Sequence, residues 1–427
     1  MKNSILSAGL AFCLLFALPP AGVLAQDVVT TGAESPADTL HRQTERIRQM
    51  IRSLGAKAST PAQLVQLTRD LPPAAAAGLF LHVAEDYMRS GNWDLAAAVL
   101  LQLLDRFPDE PASTDATLLL VRLYSSSEVT HAQRKPLDAA QQLRLPAGWR
   151  EQQATPEDSP ADTGMLLYAL YLANGQLQKH PELAENSPLA FQCAVAARLS
   201  GRTPENKSWL SLLKHKRESA EWRERALAEE WLTVSRDKKP PLPTTQCLRT
   251  NQPPHLDGIL NEPCWKNAET AIPQSAIHIP QSEILLAYDA EYFYLAARCQ
   301  KIPGVEFLAD DRPRSYDADL SKHDQVQLWL DADRDYATWF QLAIDHRGWT
   351  GDRCWMDAGW NPKWFVAAGS DERSWTFEAA IPWSELAAQP PRSGDIWAYG
   401  AERVLPTGRA DIPVAAPPAD FGLLVFQ

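Results

Sequence analysis

The period of the apolar residues changes once along the chain, at a proline-rich segment. Residues 237–245 read DKKPPLPTT, and three prolines within four residues cannot continue a helix. Before this segment apolar side chains recur at helical spacing, and after it they alternate with the period of two that is typical of strands. At 427 residues the chain is also too long for one ordinary core. We therefore expect a helical domain, a linker and a β domain, at residues 26–236, 237–246 and 247–427.

The helical half contains one segment with a specific spacing. Residues 79–108 resemble a tetratricopeptide repeat, which is a pair of antiparallel helices. The matching positions are Ala84, Tyr87, Gly91, Trp93, Ala96, Leu100, Leu103 and Pro108. A single repeat cannot bury both of its faces, so further helical pairs must stack beside it. The sequence predicts an irregular α-solenoid of eight to ten helices, which either binds a partner protein or acts as a spacer.

The second half contains alternating segments separated by short turn-forming stretches. The predicted strands are Ile284–Asp289, Tyr292–Arg298, Gln325–Asp331, Trp339–Asp345 and Trp375–Ile381. This pattern predicts an antiparallel β-sandwich.

The first residues have the order of a secretory signal peptide. A positive start precedes an apolar run from Ile5 to Leu18, and small or apolar residues precede Gln26. The run is shorter than the ~20 residues that a membrane span needs, and no later stretch is long enough. We expect cleavage of residues 1–25, no membrane span, and a secreted or periplasmic protein.

The formal net charge of −12 is concentrated in the second half, where residues 245–427 hold 15 Lys or Arg against 26 Asp or Glu. This balance argues against nucleic acid and anionic membranes as partners, because both would repel the domain.

Four cysteines fall in the second half, and Cys193 precedes them. Disulfides persist outside the cytoplasm, so two interpretations stay open. Either one disulfide forms among these four, or they are small buried hydrophobic residues. The four are Cys247, Cys264, Cys299 and Cys354.

Five segments, in this order, resemble the family 9-like carbohydrate-binding β-sandwich, which is related to DOMON-type domains. They are Leu256–Trp265, Ala287–Arg298, Asp324–Asp331, Trp375–Trp383 and Asp420–Phe426. The resemblance covers roughly residues 247–427. It implies an immunoglobulin-like sandwich of about ten strands, a sugar clamped between aromatic rings, and structural calcium. It also implies a module that does no chemistry itself and accompanies secreted glycosidases in carbohydrate catabolism.

The residues of the family's sugar clamp are only partly present. The first clamp aromatic falls near Ser321, the family's Glu falls on Gln327, its Arg on Ala343 and its Asn on Asp345. The second aromatic has no counterpart in residues 412–418. The fold is therefore expected to carry over, whereas the known clamp is not.

Other tryptophans could replace the clamp, since ten of the fifteen lie between Trp265 and Trp397. Side chains alternate across a strand, which places several polar and aromatic residues on one face. We predict a saccharide or polysaccharide groove formed by Gln327, Trp339, Gln341 and Asp345 and rimmed by Trp360 or Trp364. We expect the remaining large tryptophans to be core residues, namely Trp265, Trp329, Trp375, Trp383 and Trp397.

The run Asp331-x-Asp333-x-Asp335 imitates the start of a calcium loop. Tyr336 stands where such a loop needs glycine, and Leu342 where it needs a bidentate Glu. The two interpretations are a weak calcium site and a solvated turn. No metal other than this calcium, and no cofactor, is expected.

No hydrolase or nucleotide-binding motif is present, so no catalytic residue is assigned. The leading hypothesis is non-catalytic saccharide binding by the β domain, with the helices engaging a protein partner. The alternatives are a protein-interaction or structural scaffold that has lost sugar binding, and a glycoside hydrolase or its accessory. A hydrolase would need two carboxylates facing each other across a cleft.

Overall fold

The computed structural model describes residues 35–57, 60–133, 163–216, 219–234, 236–271, 282–302, 304, 307, 318–406 and 421–427. The predicted signal peptide and residues 412–418 lie outside these ranges. The chain divides into two compact units, residues 1–45 and 46–427. In the first unit the structure describes Ser35 and the beginning of one helix.

The described helices before residue 235 are α1 Pro36–Leu54, α2 Thr60–Leu67, α3 Pro73–Arg89, α4 Trp93–Arg106, α5 Pro111–Ser125, α6 Ser127–Gln133, α7 Thr163–Lys179, α8 Ser187–Leu199, α9 Thr203–Lys214 and α10 Ala220–Val234. A short 3-10 helix at Pro181–Glu185 precedes α8. We refer to residues 46–234 as the helical region.

Helices α3 and α4 form the hairpin that was predicted for residues 79–108. Pro73 begins α3, where its missing amide hydrogen costs nothing. Gly91 makes the turn with a φ of +68°, which favours glycine. Ala84 and Ala96 are fully buried, as are Leu100 and Leu103. The helical pair is therefore present, while its assignment to the tetratricopeptide family and to a solenoid remains a prediction.

The second part of the chain consists of strands, and the five predicted ones are all present. Their bounds, with those of the five further strands, are β1 Thr244–Arg249, β2 Ser282–Tyr288, β3 Tyr292–Gln300, β4 Gln325–Asp331, β5 Phe340–Asp345, β6 Thr350–Cys354, β7 Phe365–Ser370, β8 Ser374–Pro382, β9 Ile396–Val404 and β10 Gly422–Phe426. Two short helices, α11 Pro263–Asn267 and α12 Trp383–Leu386, accompany them. We refer to residues 244–427 as the β region.

The ten strands form one curled sheet in the order β6-β5-β4-β9-β10-β1-β2-β3-β8-β7. Strand β1 joins its two halves, because Thr244–Cys247 pair in parallel with β10 and Leu248–Arg249 pair in parallel with β2. All other pairings are antiparallel. The molecule is thus a mixed α and β protein.

The core lies between the two halves of the sheet. Val326, Leu328 and Leu330 of β4 alternate towards it and are almost completely buried. Arg403 of β9 crosses this core, pairs with the buried Asp324 and donates to the carbonyl oxygen of Gln300 on β3. A buried charge needs such a partner to be tolerated. The five tryptophans that were expected in the core are all at most 7% exposed.

The helical region packs directly on the β region. The Trp93 and Trp355 rings stack in parallel at 5.7 Å, and the ring of Phe191 contacts that of Tyr336 at 5.8 Å. Ten of the thirteen residues of α8 are buried, which requires cover on every side. Helix α8 therefore packs against its neighbours on all sides, and a protein partner of the helical region remains a prediction.

The proline-rich segment is docked in this interface. Leu242 packs against Leu232, Ile396 and Leu423, and the backbone carbonyl oxygen of Lys238 accepts a hydrogen bond from the indole of Trp231. Strand β1 begins at Thr244, inside the predicted linker. The domain boundaries themselves remain a prediction.

All five cysteines from Cys193 onward are buried and free. The predicted alternative of a disulfide among Cys247, Cys264, Cys299 and Cys354 does not describe this structure. Burial explains why the thiols pack as small apolar side chains. In the described ranges no helix is long and apolar enough to cross a membrane.

Candidate functional site

The predicted groove residues do not share one open face. Gln327 and Gln341 lie side by side on the outer face of β4 and β5, opposite to the core face. Gln341 Nε2 donates to Gln327 Oε1 at 2.9 Å, and Gln327 Nε2 donates to Gln325 Oε1 at 3.2 Å. Gln325 Nε2 in turn donates to the carbonyl oxygen of Leu320. Each of the three amides thus donates one of its hydrogen bonds to a neighbouring oxygen of the protein.

The outer face is closed around these glutamines. Gln327 is 5% exposed, Trp339 is 8% exposed and Trp329 is fully buried. The indole Nε1 atoms of Trp329 and Trp339 are buried and have no hydrogen-bond partner among the described residues. A ring with so little exposed surface cannot stack on a sugar in this conformation, so the outer face is not an open binding groove.

The Asp345 side chain stabilises a turn and does not face an open groove. Its carboxylate accepts hydrogen bonds from the backbone amides of Arg347 and Trp349 and pairs with the Arg347 guanidinium at 2.6 Å. Asp345 is fully buried. Short polar side chains commonly close turns in this way, and nothing in the alternation of β5 distinguishes that role from a ligand contact.

Trp360 and Trp364 lie on the other side of β5 and β6. Trp360 stacks on Phe340 with the ring centroids 4.6 Å apart, and Trp364 Nε1 donates to Asp352 at 3.3 Å. Phe340 and Asp352 both alternate towards the core side. The predicted set of six residues is therefore divided by the sheet into two groups.

Trp360 lines an open cleft between the helical region and the β region. The cavity measures about 580 Å³. We call it the Trp360 cleft; its walls are residues 91–95 of the helical hairpin, Ala132 and Gln133 at the end of α6, and Asp357, Gly359, Trp360 and Asn361. Asn361 also lines a second cavity beside it, which contains Trp364 and the 54% exposed Phe365.

Asp357 is fixed between the two walls of the Trp360 cleft. Its Oδ1 accepts the Gly359 amide at 2.8 Å. A side chain at Gly91 would meet its Oδ2, because an added Cβ would lie 2.6 Å away. Burial raises the pKa of Asp357 above its usual value, opposed by the Gly359 amide and the charge of Arg353. The cleft thus presents a partly desolvated carboxylate close to an indole ring.

The three aspartates of the predicted calcium run are buried with Glu128 of α6. Glu128, Asp331 and Asp333 each place a carboxylate oxygen within 4.8 Å of the others, so their donor atoms suit a hard divalent cation. However, all eight oxygens of these three groups and Asp335 already accept hydrogen bonds. The donors are the amides of Ser127, Ala332, Asp335, Tyr336, Ala337 and Thr338 and the hydroxyls of Ser126 and Thr338.

This acidic cluster closes the loop between β4 and β5 onto α6. Tyr336 has a φ of +53°, the left-handed conformation that glycine would adopt in a calcium loop. Burial, reinforced by the neighbouring aspartates, raises the pKa of Glu128 and Asp331. The described hydrogen bonds explain the cluster as a structural contact that holds the loop against α6, and calcium binding remains a prediction.

Three arginines lie around the same loop. Arg198 and Arg334 pair with Glu229 of α10, and Arg198 also donates to the carbonyl oxygen of Asp333. The Arg225 guanidinium lies 4.9 Å from the centre of the Tyr336 ring. Helices and sheet are therefore joined by a buried ionic network as well as by rings.

The sequence analysis did not predict the residues of the helical region that line the Trp360 cleft, nor Asp357. Trp93 was predicted only as a packing position of the hairpin, and Asn92, Asp94 and Asp357 were not singled out. Residues 92 and 357 are far apart in the chain, so no local spacing connects them. The positive charge expected at the N-terminus of α4 and the presence of Asp94 there are the only sequence signals.

Solved structures resemble part of the chain. A family 9 carbohydrate-binding module from Caldicellulosiruptor kristjanssonii, in complex with cellotriose, is 15% identical, with 43% of this chain and 94% of the module covered and a TM-score of 0.33. The module in complex with glucose is 15% identical, with 43% of this chain and 95% of the module covered and a TM-score of 0.31. A Bacteroides uniformis protein named as carbohydrate-binding is 12% identical, with 43% of this chain and 99% of that protein covered and a TM-score of 0.30. No protein-family model and no curated protein matches the sequence.

Proposed function

We propose that the protein binds a saccharide, without catalysis, in the Trp360 cleft. The observation that carries this proposal is the composition of the cleft, in which a braced indole ring is surrounded by amide and carboxylate side chains. Phe340 supports one face of Trp360. The apolar C–H face of a pyranose stacks on such a ring, while the sugar hydroxyls need fixed polar partners.

The polar partners come from both walls of the cleft. Asn92, Asp94 and Gln133 belong to the helical region, and Asp357 and Asn361 to the β region. Amides and carboxylates can each accept a hydrogen bond from a hydroxyl, and amides can also donate. The cavity of about 580 Å³ lies within the ~300–1,000 Å³ of typical small-molecule sites.

The proposal includes export of the protein. The predicted signal segment at residues 1–25 would deliver the chain to the compartment in which polysaccharides and their fragments are met. A binding protein there would serve carbohydrate catabolism by retaining saccharides.

Tryptophan fluorescence and calorimetric titration of the full chain test this proposal. A panel of neutral oligosaccharides should give a saturable change, and Trp360→Ala should weaken the affinity about twofold to tenfold, since ring stacking is worth ~0.5–1.5 kcal/mol beyond area burial. Trp349→Ala is the matched control, because Trp349 is a half-buried tryptophan of the β region outside the cleft. It should leave the affinity unchanged.

Two other outcomes would contradict the proposal. No response to any saccharide would leave the scaffold hypothesis, in which the β region only supports protein interactions. Cleavage of the oligosaccharide, detected chromatographically after the titration, would instead indicate hydrolysis. Asp94 and Asp357 are the carboxylates to substitute in that case.

A further inference from the structure

Strand β7 is an end strand of the sheet, and its outer edge is exposed. In the described part of the chain it pairs with β8 alone. Phe365 is 54% exposed, and Ala368 and Ser370 are exposed as well. A strand edge of this kind presents main-chain donors and acceptors with which another strand can pair.

The sequence of β7 has none of the features that usually protect such an edge. Residues 365–370 read FVAAGS, without a charged side chain or a proline. The strand at the other end of the sheet differs, because β6 contains Asp352 and Arg353 and alternates between buried and half-buried residues. The carbonyl oxygen of Thr350 on β6 also accepts the Ala318 amide at 3.4 Å. Of the two end strands, β7 therefore has the more open edge among the described residues.

The hydrogen bonds of the hairpin formed by β7 and β8 fix which main-chain groups point outward. At the turn the Asp371 amide donates to the carbonyl oxygen of Ser374 at 2.9 Å. Bonded and non-bonded pairs alternate along an antiparallel ladder, so the odd-numbered residues of β7 bond to β8. The amide and carbonyl groups of Val366, Ala368 and Ser370 consequently point away from β8.

We propose that β7 pairs antiparallel with β7 of a second copy of this chain, about a two-fold axis. The unpaired main-chain groups of an edge are complementary to an extended strand. Antiparallel pairing of a strand with its own copy gives a closed, self-complementary dimer. Directly opposite residues must both point outward or both point inward, so the axis passes through one residue of β7 and not between two.

The flanking charges select the register of this pairing. An axis at Ala367 places Lys363, which is exposed, beside Asp371 of the second copy. An axis at Ala368 would instead place Lys363 beside Arg373 of the second copy. Opposite charges across a strand pair stabilise it, whereas like charges destabilise it. The axis at Ala367 is therefore the favoured one, and it forms the Lys363–Asp371 pair on both sides of the axis.

Sedimentation velocity of the full chain without saccharide, at concentrations up to about 100 μM where a weak dimer is populated, tests the pairing. We expect a reversible equilibrium between monomer and dimer. Lys363→Glu should weaken the dimer about tenfold, because it replaces two symmetry-related attractions by two repulsions. Lys207→Glu is the matched control, since Lys207 is an exposed lysine of α9. It should leave the equilibrium unchanged.

A charge swap tests the register. Asp371 itself accepts the amides of the hairpin turn, so the neighbouring exposed Glu372 is substituted in its place. Glu372→Lys alone should weaken the dimer, and its combination with Lys363→Glu should restore the dimer to within about threefold of the wild type. Failure of the double variant to recover would refute the register.

A proline tests the use of the main chain. Ala368→Pro removes one outward amide and leaves the hydrogen bonds between β7 and β8 in place, which an edge strand tolerates. It should abolish the dimer, and circular dichroism establishes that each variant is folded. Because Lys363→Glu and the charge swap alter only exposed side chains, they test the interface even if the proline variant does not fold.

Two results would overturn the proposal. A chain that stays monomeric throughout the concentration series has no self-pairing edge, and β7 would then be available to a strand of another protein. A dimer that tolerates both Lys363→Glu and Ala368→Pro has its interface elsewhere. Saccharide binding is measured separately, and neither result bears on it.

Discussion

Glu229 joins the helical region to the β region, and the loss of its charge should loosen that junction. Its carboxylate accepts a hydrogen bond from Arg198 on α8 and one from Arg334, whose Nε lies 2.8 Å from Oε1. Glu229 is 3% exposed. Burial alone would raise the pKa of Glu229, but the two guanidiniums outweigh it and hold the pKa below its ordinary value.

The substitution Glu229→Gln keeps the shape of the side chain and removes the carboxylate that pairs directly with two buried guanidiniums. Removing one member of a buried ion pair costs ~3–5 kcal/mol. Two hydrogen bonds to charged groups, at about 1.5–3 kcal/mol each, give a similar cost of ~3–6 kcal/mol. With an m-value of ~3 kcal/mol/M, the urea midpoint should fall by about 1 M or more.

Urea unfolding of the full chain, followed by circular dichroism and tryptophan fluorescence, measures this change. Glu230→Gln is the matched control, because Glu230 is the next residue of α10 and pairs with Lys214 at the surface. An exposed ion pair is worth ~0–1 kcal/mol. If Glu229→Gln costs no more than Glu230→Gln, the buried network does not hold the two regions together and the reasoning is wrong.

The loss of stability at acid pH should also distinguish Glu229→Gln from Glu230→Gln. A carboxyl with a lowered pKa contributes stability that is present above its unfolded value of 4.5 and is lost as the pH falls through the folded value. The wild-type protein and Glu230→Gln should share this loss. Glu229→Gln should lack it, and a wild-type acid profile in this variant would contradict the assignment.

Three further predictions concern other parts of the molecule. Gly91→Ala should lower the stability measured by thermal unfolding by ~1–2 kcal/mol because Gly91 has a positive φ. The control Gly175→Ala lies in a helix with open space around it and should not lower the stability. Equal effects of the two substitutions would argue against the tight turn. Burial raises the pKa of Glu128 above 4.5, so its stabilising contribution is present below pH 4.5 and is lost as the pH rises through the folded value. The melting temperature of Glu128→Gln should therefore rise relative to that of the wild type as the pH increases. A difference in melting temperature that does not depend on pH would refute this. Burial raises the pKa of Cys193 to about 12 and that of Cys264 to about 11. A thiol reagent should therefore modify the five cysteines from Cys193 onward only after unfolding without reductant, and a titre lower by two would reveal a disulfide.

The strands were predictable because alternation is a local property. Each of the five predicted strands appears within a few residues of its expected bounds, since one buried face imposes a period of two. The hairpin of α3 and α4 was predictable for the same reason, because Gly91 and the small residues at its crossing lie within one short segment. The role of Asp345 was not predictable, since a turn and a groove need the same side chain.

The sequence by itself determined the order of a helical part and a β part, the acidic charge of the β part and the burial of its large tryptophans. Only the tertiary structure decided which residues meet across that boundary. It places Glu128 of α6 against Asp331 and Asp333, and it places Asn92 and Asp94 opposite Asp357. Such contacts join residues about two hundred or more positions apart, and they leave no periodic signal in either segment. The outer face of β4 and β5 likewise has the expected alternation, yet the burial of Trp329 and Trp339 closes it, whereas the Trp360 cleft is open.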